Sequence, residues 1–311
     1  MPERICPACH ADDTEAVDSV DRADLIRSYR QKGIEVGAYL RGGRITLCHC
    51  NHCELGFFDP ACVGDGLFYE QLQTQDWYYQ DDKPEYAHAA KLIHQDSSVL
   101  EVGCGKGAFR QWLPQTTRYT GLEFNDEAVQ KARAAGLDVR KQPVEEHADE
   151  GRRYDVVCAF QVLEHVEHPK RFFHACVQTL KPGGTLMIAV PAQDSFLAIA
   201  PNSPLNMPPH HVTRWTDRAL TNLARSEGFS NASIWHEPVA DFHRDWHATT
   251  LAYHALTRRG LYRPRLIDNG MRYRLLGRLV RMPALRGYLV RSALKASPAL
   301  GVGHTVMLVA S

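Results

Sequence analysis

The sequence predicts an α/β fold in which a mostly parallel sheet carries helices on both faces. Two observations support this prediction. Short apolar runs alternate with helix-like segments between residues 98 and 191, and glycine-rich or acidic positions follow the runs where strands would end. With 311 residues, of which 44% are hydrophobic and 23% charged, the chain can bury the core that such a fold needs.

The first strand is expected at 98–102, and it leads into a turn with glycines at alternate positions, Gly103, Gly105 and Gly107. Glycine is required where φ is positive or where a ligand approaches the backbone closely. The spacing fits neither a Walker A loop nor the dinucleotide fingerprint Gly-x-Gly-x-x-Gly. A nucleotide-type ligand is therefore expected at this turn, but not one bound by either of these two motifs.

The remaining elements of the predicted core continue the alternation. We expect further strands at 118–123, 137–140, 154–160, 185–191, 229–235 and 304–310, and helices at 108–113, 126–135, 169–180 and 216–227. Ligands of parallel sheets bind beyond the carboxyl ends of the strands. Glu123 ends the second strand, where a carboxylate accepts hydrogen bonds from both hydroxyls of a ribose.

The region Val99–Pro191 resembles the class I S-adenosylmethionine (SAM)-dependent methyltransferases. The resemblance is carried by the Glu-x-Gly-x-Gly-x-Gly motif that starts at Glu101, the run Leu163–Val166 and the run Leu180–Gly184. It implies a Rossmann-like sheet of seven strands whose last two strands are antiparallel, and SAM as the cofactor. The cofactor-binding residues that it implies are Glu101, Gly103, Cys104, Gly105, Gly107, Glu123, Phe124, Val144, Phe160 and Gln161.

Residues 1–60 form a separate module with two Cys-x-x-Cys pairs, Cys6 with Cys9 and Cys50 with Cys53. Two such pairs supply four thiolates to a tetrahedral Zn²⁺, which leaves no open position and makes the site structural. Alternative third and fourth ligands are Cys48, His49 and His52. A hairpin is expected at 36–47. The module resembles the zinc ribbon ahead of some bacterial methyltransferases of the sugar and small-molecule type.

Residues 61–97 form an aromatic-rich helical connector, with Tyr69, Trp77, Tyr78, Tyr79 and Tyr86. Either these rings cover the cofactor as a lid, or they pack against the core or the ribbon. The core itself is expected over 98–236.

The acceptor is expected beside the run Pro208-Pro209-His210-His211, which follows the fifth strand and resembles a run in related methyltransferases. A neutral imidazole of His210 or His211 could remove the proton of the acceptor, and nothing favours one over the other. Alternatively, one of them orders the loop by bonding carbonyls. Arg214 either pairs with an anionic acceptor or caps a carbonyl. His165 is expected to hold its loop rather than to act in catalysis.

A helical insertion is expected at 237–303, before a last core strand at 304–311. Between Asp241 and Leu300 there are twelve basic and three acidic residues, a net charge of +9. This basic face is either simply solvated, or it contacts an anionic acceptor, or it makes peripheral contact with a membrane through residues 258–295.

These features predict an enzyme that transfers a methyl group from SAM to a small-molecule, sugar or glycan acceptor, at oxygen, carbon or nitrogen. An RNA methyltransferase and a SAM-binding scaffold without catalysis are the alternatives. Nucleic acid is not expected, because the ribbon region carries Asp12, Asp13, Glu15, Asp18, Asp21 and Asp24. Nine cysteines without a secretion signal predict a cytoplasmic location.

Overall fold

The computed structural model describes residues 4–73, 75, 81–260 and 265–311. Trp77, Tyr78, Tyr79, Arg263 and Pro264 lie outside the described residues. The strands are β1 (Thr14–Asp21), β2 (Arg44–Cys50), β3 (Gly56–Asp59), β4 (Ser98–Val102), β5 (Arg118–Leu122), β6 (Val139–Arg140), β7 (Tyr154–Phe160), β8 (Leu180–Pro191), β9 (Thr213–Arg214), β10 (Ala232–Pro238) and β11 (Val302–Ala310). The α-helices are α1 (Arg22–Arg30), α2 (Gly66–Gln73), α3 (Pro84–Ala90), α4 (Asp126–Ala134), α5 (Val144–Asp149), α6 (Pro169–Gln178), α7 (Asp217–Ser226), α8 (Arg244–Thr257), α9 (Met271–Val280) and α10 (Pro283–Ala296).

The predicted seven-stranded sheet is confirmed, with the order β10-β11-β8-β7-β4-β5-β6. Five strands, from β8 to β6, are parallel, and β11 runs antiparallel to both β8 and β10. The central strands are apolar because both faces are covered; β4 is buried along its whole length. The carboxyl ends of β4, β5, β7 and β8 therefore meet at one edge, where a ligand binds.

The bounds of several core elements differ from the prediction. The helix expected at 108–113 is a 3₁₀ helix over Ala108–Trp112, and the third strand, β6, has only two residues. The turn expected at Lys181–Gly184 lies inside β8, where the pairing with β7 jumps from Leu180 to Thr185. These residues bulge out of the ladder without ending the strand.

The second sheet has the order β1-β2-β3-β9 and belongs mainly to the N-terminal module. The hairpin predicted at 36–47 is wrong: β2 pairs with β1 on one side and with β3 on the other, and the β2–β3 turn carries Cys53. β1 and α1 were not predicted, because β1 is largely exposed and acidic and so lacks an apolar strand pattern.

The strand β9 joins this module to the loop that follows β8. Gly56 pairs with Arg214, and Phe57 pairs with Thr213. A Cβ atom at Gly56 would lie 3.1 Å from the Cβ of Arg214, so glycine permits this close approach. The Tyr29 hydroxyl also donates a hydrogen bond to the carbonyl oxygen of Met207 at 2.8 Å. The loop with the two predicted histidines is thus held by the N-terminal module.

The insertion before the last strand consists of α8, α9 and α10, which pack around a small apolar cluster that includes Leu251 and Leu289. Leu275 and Leu279 on α9 stay exposed among arginines. Within the described residues, no helix is both long and apolar enough to cross a bilayer. Peripheral membrane contact of this segment stays a prediction.

Gly121 in β5 packs against Cys104 of the glycine-rich turn. A substitution at this position therefore tests how tightly the core is packed beneath the turn. A Cβ atom there would lie 2.5 Å from Cys104 Sγ and 3.1 Å from Val139 Cγ2. We expect Gly121→Ala to lower the free energy of unfolding by about 1–3 kcal/mol, as overpacked core substitutions do. Urea unfolding measures this loss. Gly43→Ala, in open space, is the control and should change stability by less than about 0.5 kcal/mol; equal effects would contradict the described packing.

Candidate functional site

The glycine-rich turn lies at the carboxyl end of β4 and leads into the 3₁₀ helix Ala108–Trp112. Gly103, Gly105 and Gly107 have φ values of 73°, 54° and 81°, a region that favours glycine. At Gly103 a Cβ atom would also lie only 2.4 Å from Val162 Cγ2. The N–H groups of Gly103 and Cys104 donate to the carbonyl oxygen of Leu122. The turn is therefore fixed to the end of β5.

The carboxylate of Glu123 lies directly beside this turn. Its Oε2 accepts a hydrogen bond from the N–H of Gly105 at 2.8 Å, and its Oε1 accepts from the N–H groups of Phe124 and Asn125 at 2.7 and 2.8 Å. The ring of Phe124 is 64% exposed, which is unusual for a large aromatic side chain. A carboxylate and an exposed ring thus face the same space above the turn.

A cavity of about 1000 Å³ opens over this edge of the sheet. Nine of the predicted site residues line it: Gly103, Cys104, Gly105, Glu123, Phe124, Phe160, Gln161, His210 and His211. The same cavity therefore contains the predicted cofactor end and the predicted acceptor end.

Three predicted cofactor residues do not line this cavity. Glu101 is 1% exposed inside β4, where the Tyr119 hydroxyl donates to its carboxylate and burial raises the pKa of Glu101 to about 8. Gly107 lies behind the turn, where a Cβ atom would meet Leu137 at 2.3 Å. Val144 is buried at the start of α5, while the next residue, Glu145, lines the cavity.

Gln161 follows β7 with a φ of 59°, which is uncommon for a residue other than glycine. Its side-chain amide donates to Glu85 Oε1 at 3.3 Å and to Thr305 Oγ1 at 3.4 Å. Both partners also line the cavity. The strained turn thus directs the side chain of Gln161 to a position between Glu85 on α3 and Thr305 on β11.

Three histidines form the wall at the other end of the cavity. The rings of His210 and His211 stack with their centroids 4.4 Å apart, and the ring of His165 lies 4.6 and 4.9 Å from them. Burial lowers the pKa of His165 to about 4, and it lowers the pKa values of His210 and His211 well below the usual 6.5. All three imidazoles are therefore neutral at neutral pH.

The histidine cluster includes residues that the sequence analysis did not assign to the site. His165 bonds through Nδ1 to the carbonyl oxygen of His210, as expected for a residue that holds a loop, but its ring also lines the cavity. Glu164 lines the cavity as well and was missed. Their positions in the chain could have indicated this, because Glu164 and His165 follow β7 and the two histidines follow its parallel neighbour β8. Residues after neighbouring parallel strands meet at the same edge of a sheet.

Arg214 does not line the cavity, although an anionic acceptor was one expectation for it. Its guanidinium is buried, donates to the carbonyl oxygen of Asn206 at 2.7 Å and lies over the ring of Phe58, 5.1 Å from the centroid. The carbonyl-capping alternative therefore describes Arg214.

The connector contributes to both the core and the cavity. Tyr86 packs against Phe109 and Phe160, whereas the ring of Tyr69 meets the ring of His165 edge-on at 5.7 Å. Over the glycine-rich turn, Lys106 pairs with Asp81 at 2.8 Å. Tyr86 therefore packs against the core, as one alternative predicted, and Tyr69 lines the cavity, while a lid over the cofactor stays a prediction.

The four cysteines of the N-terminal module converge, with their sulfur atoms all within 4.8 Å of one another. Cys6 Sγ lies 3.6 Å from Cys53 Sγ, and Cys9 Sγ lies 3.5 Å from Cys50 Sγ. Sulfur atoms bound to a tetrahedral Zn²⁺ lie about 3.8 Å apart, so this donor set fits that ion. The alternative ligand Cys48 directs its thiol to the carbonyl oxygen of Thr46 instead.

Comparison with known proteins agrees with this architecture. The family model described as a methyltransferase domain matches residues 70–234, more than half of the chain, so the protein belongs to this methyltransferase family. With its seven-stranded sheet it is a class I SAM-dependent methyltransferase. A crystal structure of a SAM-dependent methyltransferase from Archaeoglobus fulgidus superimposes with a TM-score of 0.52 over 78% of this chain and 99% of that one, at 16% identity, which shows a shared fold.

Two similar curated proteins are named ubiquinone biosynthesis O-methyltransferase. Those of Erwinia tasmaniensis and Salmonella arizonae are each 38% identical to this chain over 99 residues. The match covers 29% of this chain and 41% of each relative. The chain thus spans about two fifths of the length of these relatives.

A substitution of Glu123 tests the predicted cofactor end of the cavity most directly. We expect Glu123→Ala to weaken SAM binding by about 10–100-fold in calorimetry, because it removes the predicted acceptor for the ribose hydroxyls and leaves three N–H groups near the turn without their partner. Glu146→Ala, exposed on α5 outside the cavity, is the control and should bind SAM normally. Unchanged affinity of Glu123→Ala would place the cofactor elsewhere.

Proposed function

We propose that this protein transfers the methyl group of SAM to a hydroxyl oxygen of a small molecule bound in the cavity. The single observation that carries the proposal is that the glycine-rich turn with Glu123 and the cluster of His165, His210 and His211 line one cavity. The names of the curated relatives, which are O-methyltransferases, favour oxygen as the methylated atom.

The donor end would hold SAM through the backbone of Gly103–Gly105, with the ribose at Glu123 and the adenine against the exposed ring of Phe124. When bound, SAM supplies a sulfonium whose methyl group is electrophilic. Gln161, which is hydrogen-bonded to Glu85 and Thr305, would face the methionine part of SAM. Glu145 is the cavity residue nearest in sequence to the predicted adenine contact at Val144.

The acceptor end would position a hydroxyl against neutral imidazoles. Neutral rings do not repel the sulfonium, and the buried side chains hold the hydroxyl in position for transfer. The role of His210 or His211 as a base stays a prediction. Because burial lowers their pKa values well below 6.5, each ring alone is a weak base toward an alcohol.

We also propose that the four clustered cysteines bind one structural Zn²⁺. The support is the convergence of four sulfur atoms without a disulfide, in a module that is small and would gain stability from a metal. Since β3 of this module pairs with β9, the ion would stabilise the loop that carries His210 and His211.

Removal of one zinc ligand should therefore affect the acceptor end more than the donor end. We expect Cys50→Ser to lose the zinc, seen by metal analysis, and to reduce methyl transfer at least 10-fold while SAM affinity stays within about 3-fold, because a metal ligand contributes to folding of its own module. Cys48→Ser, buried but outside the cluster, should keep the ion. Full zinc occupancy in Cys50→Ser would refute the ligand assignment.

The proposed function is tested with methyl-labelled SAM and fractionated cell extract. Purified protein should transfer label to small molecules in either the water-soluble or the lipid-soluble fraction, and a Glu123→Ala sample should not. Treatment of the product with acid and base then tests for an ether-linked methyl group. Label that is recovered in RNA, or no label in any fraction while SAM binds, would instead support the RNA-directed or the scaffold alternative.

A further inference from the structure

The histidine cluster at the acceptor end has the layout of a metal site. One ring nitrogen from each of His165, His210 and His211 lies within 4.8 Å of the others. Two of these residues are neighbours on the loop after β8, and the third comes from the 3₁₀ turn after β7, so the set is assembled by the sheet edge. It lies apart from the cysteine cluster and shares no residue with it.

The hydrogen bonds of the rings fix which nitrogen can bind an ion. The Nδ1 atoms of His165 and His210 contact the carbonyl oxygens of His210 and Leu205 at 2.6 and 2.8 Å, and Nδ1 of His211 contacts Oδ1 of Asn206 at 3.2 Å. A carbonyl oxygen only accepts, so each Nδ1 carries the proton and each Nε2 carries a lone pair. Metal-binding histidines are oriented by this same pattern.

Glu164 adds a buried carboxylate that lacks compensation. Its Oε1 lies 3.6 Å from Nε2 of His165 and 3.9 Å from Nε2 of His211. Within the described part of the chain, neither of its oxygens accepts a hydrogen bond, although the side chain is 1% exposed. A buried carboxylate of this kind is costly unless a cation or a donor meets it.

The separations between ligand atoms are close to those around a shared ion, and the stacked rings of His210 and His211, at an interplanar angle of 21°, have to turn toward it on binding. Ligand atoms about 2.1 Å from a tetrahedral ion lie about 3.4 Å from one another, close to the separations of Glu164 from the two rings. Three imidazoles with one carboxylate favour Zn²⁺, Fe²⁺, Co²⁺ or Ni²⁺, whereas Mg²⁺ and Ca²⁺ prefer oxygen ligands alone.

We propose that Glu164, His165, His210 and His211 bind a divalent transition-metal ion on the wall of the cavity. All four residues line the cavity. Four ligands fill a tetrahedral ion, so the acceptor oxygen would enter from the cavity as a fifth ligand. The metal site stands on this geometry, and only its role in the reaction rests on the proposed function.

In that role, the acceptor hydroxyl binds the ion through its oxygen. The ion lowers the pKa of the hydroxyl, and the proton leaves to bulk water through the open side of the cavity. The oxygen then forms its bond to the methyl carbon while the bond from carbon to sulfur breaks. The electron pair stays on sulfur, which becomes a neutral thioether. This step needs no strongly basic side chain and accommodates the weak basicity of the three imidazoles.

The metal content of the purified protein tests the proposal without SAM or acceptor. After dialysis of the isolated protein against Co²⁺ and removal of free metal, we expect two metal ions per chain, counted as zinc plus cobalt. The cobalt at the histidine site should show ligand-field bands without the thiolate-to-cobalt charge transfer that the cysteine site would give.

Glu164→Gln and His211→Gln should each bind one ion fewer than the wild type. The Glu164→Gln change keeps the shape of the side chain and removes a buried carboxyl group that accepts no hydrogen bond from the described residues, so this variant should stay folded by circular dichroism. Glu167→Gln, which changes an exposed carboxylate on the same cavity, should keep two ions. One ion per chain in the wild type, or two in folded Glu164→Gln, overturns the metal site. Two ions in a wild type that methylates nothing would count against the proposed function alone.

Discussion

The short pairing between β3 and β9 is the interaction on which the acceptor side of the molecule depends. It places Gly56 and Phe57 of the N-terminal module against Arg214 and Thr213, just after the histidine loop. Tyr29 and the buried Arg214 bond the carbonyl oxygens of Met207 and Asn206 within the same loop. A loop of this length would otherwise sample many conformations, and each of these contacts reduces that freedom. The cysteine cluster lies outside the cavity, but its module holds the loop that carries His210 and His211 in position.

The second constraint is the burial of ionisable groups at the sheet edge. Desolvation keeps His165, His210 and His211 neutral and raises the pKa of Glu164 to about 8. A positively charged ring in this place would repel a sulfonium. This end of the cavity thus presents three neutral rings and the carboxyl group of Glu164, and a cationic methyl donor meets no positive ring there. The same groups form a donor set that attracts a metal ion.

Much of the core could be predicted because its signals are local. The apolar strand 98–102, the glycines after it and the acid at Glu123 define a strand, a turn and a second strand end within 26 residues. The antiparallel last strands followed from resemblance and were confirmed. By contrast, β1 and α1 were missed, because the exposed acidic strand β1 carries no apolar alternation. The pairing of β9 with β3 joins positions that are more than 150 residues apart, and no local pattern encodes it.

The candidate site, like the fold, was predicted only in part. The residues of the glycine-rich turn, Gln161 and the two loop histidines were found from motifs and strand ends, and they line the cavity. Gly107 belongs to the motif but lies behind the turn, since the motif also reflects the packing against Leu137. Glu164 and His165 were not assigned because their neighbours in sequence suggest only a loop. Their contact with His211 exists only once β7 and β8 lie side by side.

The central claim is that the donor and acceptor sites share one cavity with a defined direction from Phe124 to the histidines. A crystal structure with bound S-adenosylhomocysteine, the product of methyl transfer, tests it most directly. The account predicts the adenine against Phe124, the ribose at Glu123, and the sulfur atom facing His165, His210 and His211 across the open cavity. A ligand in another place, or one whose sulfur faces away from these histidines, would contradict it.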